Sequence, residues 1–222
     1  IGFYERWRRR LYNSAVYLEA REGSWKARHV HRKMFLPTYG AFDEARFVEP
    51  GTDIQAFETR FGRIGMLICE DMWHSLPAAI LALGGAELLV VPSASLARDF
   101  SPTGGRSRNL ERWEQITSGA ALEHGIFVIV AQLVGSEGGK LFFGGSIAVG
   151  PDGSFLARGP LLEEAVTLAS LDAGSINRSR MASPLLANLE QMLPHLQRSL
   201  ESTRPHAVLE DSHAPLETET QE

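Results

Sequence analysis

Cysteine is almost absent: Cys69 is the one thiol in the chain, which excludes an internal disulfide framework and any cysteine cluster built to hold a metal. Long apolar runs are missing as well, none approaching the roughly 20 residues that a membrane-spanning helix needs. No signal-peptide pattern is seen, and the sequence predicts a cytoplasmic protein with no membrane partner. Positive charge is in deficit, with 22 Lys and Arg against 27 Asp and Glu and a formal net charge of −5. Residues 203–222 hold five acids and one arginine, a net −4, which leaves about −1 for the rest. Neither value fits a nucleic-acid partner, and the short basic run Arg6-Trp7-Arg8-Arg9-Arg10 reads as a solvated loop. No internal repeat is visible.

What is present is enough apolar material for one core: 44% of the 222 residues are hydrophobic and 9% aromatic. Short strands are predicted at 12–19 and 25–31, with a second pair at 54–59 and 63–69. A helix over 76–83 is predicted to start at a capping Ser75 and stop at Gly84-Gly85. A strand over 87–91 then runs into Pro92-Ser93-Ala94-Ser95. The next helix, from a capping Asn109 to Gly125, places Leu110, Trp113, Ile116, Ala120 and Ala121 on one face. Further strands are predicted at 127–134, 145–149 and 155–158, the last two flanking the turn signal Pro151-Asp152-Gly153. A final strand over 165–171 precedes a helical region over 185–200. Strands alternating with helices give an α/β class, and the hairpin-like pairs add antiparallel strands to its sheets. Residues 1–202 read as one domain. The acidic, aromatic-free stretch 203–222 cannot bury enough to order itself.

Cys69 sits where a buried-type strand stops, in Arg63-Ile64-Gly65-Met66-Leu67-Ile68-Cys69-Glu70-Asp71. That is the carboxyl edge of a sheet, where α/β proteins place their chemistry, and it makes the thiol a candidate nucleophile. Taken alone, a strand cysteine is more often a small core hydrophobe. Likewise, Lys33 and Glu44 alone read as solvated charges, Tyr39 and Trp73 as packing aromatics, and Glu70 and Asp71 as caps of the following helix. His29, His31, His74 and His124 show no metal-like grouping and read as structural.

Read together, Arg32-Lys33-Met34-Phe35-Leu36-Pro37-Thr38-Tyr39-Gly40, Phe42-Asp43-Glu44-Ala45-Arg46-Phe47 and Gly65-Met66-Leu67-Ile68-Cys69-Glu70-Asp71 resemble the nitrilase, or carbon-nitrogen hydrolase, superfamily. The resemblance continues through residues 85–95 and 144–153. Within that superfamily these segments are most similar to the glutamine-amide hydrolysing domains of NAD synthetases and related amidases. The resemblance implies an α-β-β-α sandwich with mixed sheets, association into a homodimer or a larger homo-oligomer, and neither metal nor organic cofactor. It implies Cys69 as nucleophile, Lys33 as the cation beside it, and Glu44 as an accessory catalytic carboxylate. It also places Tyr39, Glu70, Trp73, Ser93 and Ser95 against a small-molecule amide substrate. The logic is that of acyl transfer: a thiolate attacks the amide carbonyl, and Lys33 with the Glu70 backbone N–H stabilises the oxyanion. Lys33 is also expected to favour the thiolate of Cys69.

One element of the family pattern has no counterpart here. The general-base glutamate lies on an early strand ahead of the segment matched by Ile1-Gly2-Phe3-Tyr4-Glu5-Arg6, and Glu5 matches a different position. The expectation is therefore either a carbon-nitrogen hydrolase acting on a small carboxamide or a catalytically silent binding module of the same fold. A nitrile hydrolase is a third reading.

Overall fold

The computed structural model describes residues 1–21, 23–40, 42–97 and 107–203. The chain divides into two compact units, Ile1–Ala187 and Asn188–Glu222. The sheets and the site belong to the first. In the second, the described residues continue the helix that begins at Leu185. Beyond Thr203, the expected disordered tail lies outside the described residues.

Three antiparallel strands, β1 (Gly2–Trp7), β2 (Arg10–Arg21) and β3 (Ser24–Arg32), form one sheet in that order. The basic run is therefore strand and turn rather than loop. Trp7 pairs with Arg10, and between them Arg8 and Arg9 hold φ values of 47° and 67°. Two positive φ values in a two-residue connection give the hairpin twist that a right-handed sheet demands. On one face of this sheet, Arg32 donates to both oxygens of Glu5 at 2.9 and 2.6 Å and lies over the rings of Tyr12 and Trp7. Ser14 donates to the same carboxylate at 2.9 Å. The other face, at Ala15 and Tyr17, packs against Phe57, Met66 and Ile68.

Those partners belong to a six-stranded mixed sheet of β4 (Phe57–Thr59), β5 (Gly62–Met66), β6 (Leu88–Ser93), β7 (Phe127–Gln132), β10 (Ile147–Val149) and β11 (Phe155–Arg158). Its spatial order is β11-β10-β7-β6-β5-β4. β5, β6 and β7 run parallel, and the apolar runs of β6 and β7 suit central strands covered on both faces. Pro92 lies inside β6, opposite Ala131 of β7. Helices α1 (Ser75–Leu83) and α2 (Arg108–His124) connect the parallel strands. They bury Leu81, Leu110, Trp113 and Ala121 with Leu89, Val91, Val128 and Val130 of the sheet. Helices, mixed sheet and three-stranded sheet thus stack as successive layers of an α/β fold. A separate hairpin, β8 (Val134–Glu137) and β9 (Lys140–Phe143), rises beyond β7.

Several boundaries differ from the sequence expectation for identifiable reasons. Ser75 is the first helical residue of α1, whose cap position falls to His74. α2 is capped by Ser107, which accepts from the Asn109 N–H, because the Asn109 side chain is committed to Ser95 and the Leu96 carbonyl. β10 starts at Ile147 because Gly144 and Gly145, at φ 70° and 68°, cannot continue a strand. Residues 165–171 pair in no ladder among the described residues, and Val166 and Leu168 are 88% and 85% exposed. α3 (Gly174–Ala182) was not expected; it buries only Ile176, so it has no apolar stripe to read. α4 (Leu185–Thr203) contains the expected helical region.

Candidate active site

Lys33 directly follows β3, its N–H donating to the Asn13 carbonyl and its carbonyl accepting from Gly51, both at 2.8 Å. The residue is 2% exposed. Its ammonium donates to both oxygens of Glu44, at 2.8 and 2.7 Å. Glu44 begins a short 3-10 turn, Glu44–Arg46, and keeps 24% of its side chain exposed. The pair satisfies a charge that could not otherwise remain in the interior.

Cys69 lies three residues beyond β5 and opens the 3-10 helix Cys69–Trp73. Its φ of 46° is a left-handed value for a non-glycine residue, a strain that clusters at functional sites. The strand expected to reach Cys69 therefore stops at Met66, and the thiol is presented on a turn. Burial pushes this thiol above its ordinary range, which corrects the expectation of a favoured thiolate. Lys33 pulls the other way, as do the Ser93 hydroxyl and the Ala94 N–H, while Glu44 adds to the rise. Desolvation wins because the nearest cation is already matched by a carboxylate. The buried Ser93 hydroxyl has no partner at ordinary hydrogen-bond geometry.

Two cavities meet at Cys69. The larger, of 740 Å³, is lined by Lys33, Glu44, Cys69 and Ser93, with Gln132, Glu137 and Lys140 farther along its wall. The smaller, of 150 Å³, is lined by Tyr39, Glu70, Trp73 and Ser95, with Asn109 and Arg112. The seven other residues singled out from the sequence thus line one or the other of the two cavities that Cys69 borders. Tyr39 donates its hydroxyl to Glu70 at 2.7 Å. Trp73 meets Trp113 edge to face. Ser95 accepts from both Asn109 and the Trp113 indole at 2.8 Å, joining the end of β6 to α2. Glu5 is on the outer face of the three-stranded sheet, held by Arg32, which keeps its carboxyl below the usual range.

Sequence reasoning missed the role of Asp71. This carboxylate is fully buried, and instead of capping α1 it accepts from the N–H groups of Met34, Phe35 and Ile68, each at 3.0 Å. It also meets His31 Nε2 at 2.9 Å. The one available signal was the spacing of His31 and Asp71 from Lys33 and Cys69. Among the described residues, no group of three or more His, Cys, Asp or Glu could hold a metal ion, and no helix is long and apolar enough to cross a membrane.

The model of the carbon-nitrogen hydrolase family matches residues 1–181. Among curated relatives, a glutamine-dependent NAD(+) synthetase of Rhodobacter capsulatus is 31% identical over 155 residues, covering 70% of this chain and 27% of that protein. An N-carbamoylputrescine amidase of Solanum lycopersicum is 29% identical over 189 residues, covering 81% and 61%. In structure, a carbon-nitrogen hydrolase from Helicobacter pylori G27 superposes with a TM-score of 0.76 at 32% identity, covering 84% of this chain and 66% of that one. The chain therefore spans about a quarter to two thirds of the length of these proteins.

Proposed function

Because this chain belongs to the carbon-nitrogen hydrolase family, we propose that it supplies the nucleophile and the cation of an amidase that cleaves the C–N bond of a small carboxamide. The observation that carries this reading is the buried Lys33–Glu44 pair opening onto the same cavity as the strained Cys69. Cys69 Sγ bonds to the carbonyl carbon, and the developing oxyanion is met by the Lys33 ammonium and the Glu70 N–H. The thiol proton passes to the departing nitrogen, the C–N bond breaks and ammonia leaves. Water then cleaves the thioester, giving the acid and restoring the thiol. Glu44 fixes the Lys33 ammonium through both of its carboxylate oxygens.

A cavity of 740 Å³ suits a small molecule. At its wall Glu137 and Lys140 present opposite charges, which suits a zwitterionic acyl group. A glutamine-like amide is therefore the substrate class we favour, in keeping with the named dependence of the R. capsulatus relative.

The test is to incubate the chain with glutamine, short aliphatic amides and nitriles, reading ammonia by a coupled assay and Cys69 acylation by intact mass. Amide-dependent ammonia that disappears in Cys69→Ala and falls about 10²-fold or more in Lys33→Met supports the reading. If Cys69 reacts with iodoacetamide but no amide acylates it or releases ammonia, the fold serves here as a silent binding module. Turnover of nitriles alone overturns the amide assignment.

A further inference from the structure

We infer that Asp71, with His31 as its buried counterpart, is the positioning residue that holds the Lys33 ammonium and the Cys69 thiol at one site. The inference builds on the reading of those two residues as an acyl-transfer pair. The two come from different sheets: Lys33 follows β3 of the three-stranded sheet, and Cys69 follows β5 of the mixed sheet. Among the described residues no strand ladder joins these sheets, and face-to-face apolar packing is non-directional. Something more directional has to set where one sheet's lysine stands relative to the other's cysteine.

The Asp71 carboxylate has that geometry. Oδ1 accepts from Met34 and Phe35, the two residues after Lys33, at 3.0 Å each. Oδ2 accepts from Ile68, the residue before Cys69, at 3.0 Å, and meets His31, two residues before Lys33, at 2.9 Å. One fully buried anion thus brackets Lys33 on both sides and Cys69 on both sides, since Asp71 itself lies two residues beyond the thiol. With four partners, the acceptor capacity of the carboxylate is filled. A residue acting only as a helix cap needs the Ile68 bond and has no use for the other three. The same Ile68 bond closes the turn in which Cys69 holds its positive φ, a conformation that persists only when its surroundings over-determine it. Phe35 adds a second tie by stacking on His74, with centroids 3.7 Å apart.

Asn at position 71 can serve Met34 and Phe35 through its one carbonyl oxygen, but its amide then opposes the Ile68 N–H. The experiment measures the rate of Cys69 alkylation by iodoacetamide at one pH in wild type, Lys33→Met, Asp71→Asn and the double variant, together with hydrogen exchange at Met34, Phe35 and Ile68. In the wild-type background Lys33→Met is expected to slow labelling about 10-fold, the low end for a nearby opposite charge that is already partly matched. In the Asp71→Asn background the same change should alter labelling less than about 2-fold, and the Ile68 amide should exchange at least about 10²-fold faster. An unchanged Lys33 effect together with a still-protected Ile68 overturns the proposal. If Asp71→Asn fails to fold, His31→Gln, which touches one of the four partners, goes through the same cycle; a coupling there equal to wild type is equally fatal. If Lys33→Met leaves wild-type labelling unchanged, the acyl-transfer reading fails instead, and the exchange of Ile68 in Asp71→Asn still decides the role of Asp71.

Discussion

Removing either half of the Lys33–Glu44 pair should have very unequal effects on stability. Glu44→Ala strips both hydrogen bonds from an ammonium that is 2% exposed. Breaking a buried pair in this way costs about 3–5 kcal/mol, because an uncompensated charge is left behind. Glu44 keeps 24% of its side chain exposed, so water can enter the space it vacates, and a cost of about 2–3 kcal/mol is the better expectation. Lys33→Met is the opposite case. The buried charge disappears, a side chain of similar volume fills its place, and the orphaned carboxylate is near enough to solvent to be hydrated, so the cost should be below about 1 kcal/mol. Urea unfolding of both single variants and the double variant gives the comparison, with the double variant lying close to Lys33→Met. If Lys33→Met proves as costly as Glu44→Ala, Lys33 is not held as a buried cation.

Acid should weaken the fold through two carboxylates held below their ordinary range: Glu5, by the Arg32 guanidinium, and Glu19, by the Arg60 backbone N–H. Depressed groups stabilise above the unfolded value of about 4.3, and that contribution is lost as pH falls through the folded value; Glu5→Gln and Glu19→Gln should each flatten the acid limb of a denaturation-midpoint profile, and parallel limbs would contradict the assignment. A methyl on Gly51 would press into the Arg32 carbonyl beside the Gly51–Lys33 bond, so Gly51→Ala should cost about 1–3 kcal/mol in urea unfolding; an unchanged midpoint would show that the segment gives way. Leu76 and Ile80 stand exposed one turn apart on α1, and we propose them as the face of an isologous dimer. Sedimentation should then give about twice the chain mass of 24.4 kDa, and Ile80→Glu should yield monomers; a wild-type monomer removes that proposal.

The parts of the fold legible in the sequence were those where periodicity and local chemistry agree. The α2 stripe through Leu110, Trp113 and Ala121 and the apolar runs of β6 and β7 stand where the pattern placed them. The site was legible as a set of types in order, and Lys33, Glu44 and Cys69 do share one cavity. What could not be read depends on partners distant in the chain. The Arg8-Arg9 turn looks like a charged loop until Trp7 is paired with Arg10. Asp71 looks like a cap until the amides of Met34 and Phe35 are brought to it. Burial, a property of the assembled layers, pushes the Cys69 thiol up against the pull of the cation that the resemblance had placed beside it.

Pro92 has a consequence for why the space above Cys69 stays open. Along β6 the backbone groups alternate in direction. Val90 accepts from Leu67 on the β5 side, and Ser93 accepts from Leu133 on the β7 side. Residue 92 therefore faces the β5 side, just where β5 has ended, and proline has no N–H to offer there. The sheet edge beside the thiol therefore lacks one ladder donor, which disfavours drawing residues 68 and 69 into a longer strand. A residue with an ordinary amide at this position would restore the missing donor and extend the ladder's reach toward Cys69. One ring thus removes a ladder donor at the point where β5 gives way to the turn that carries Cys69.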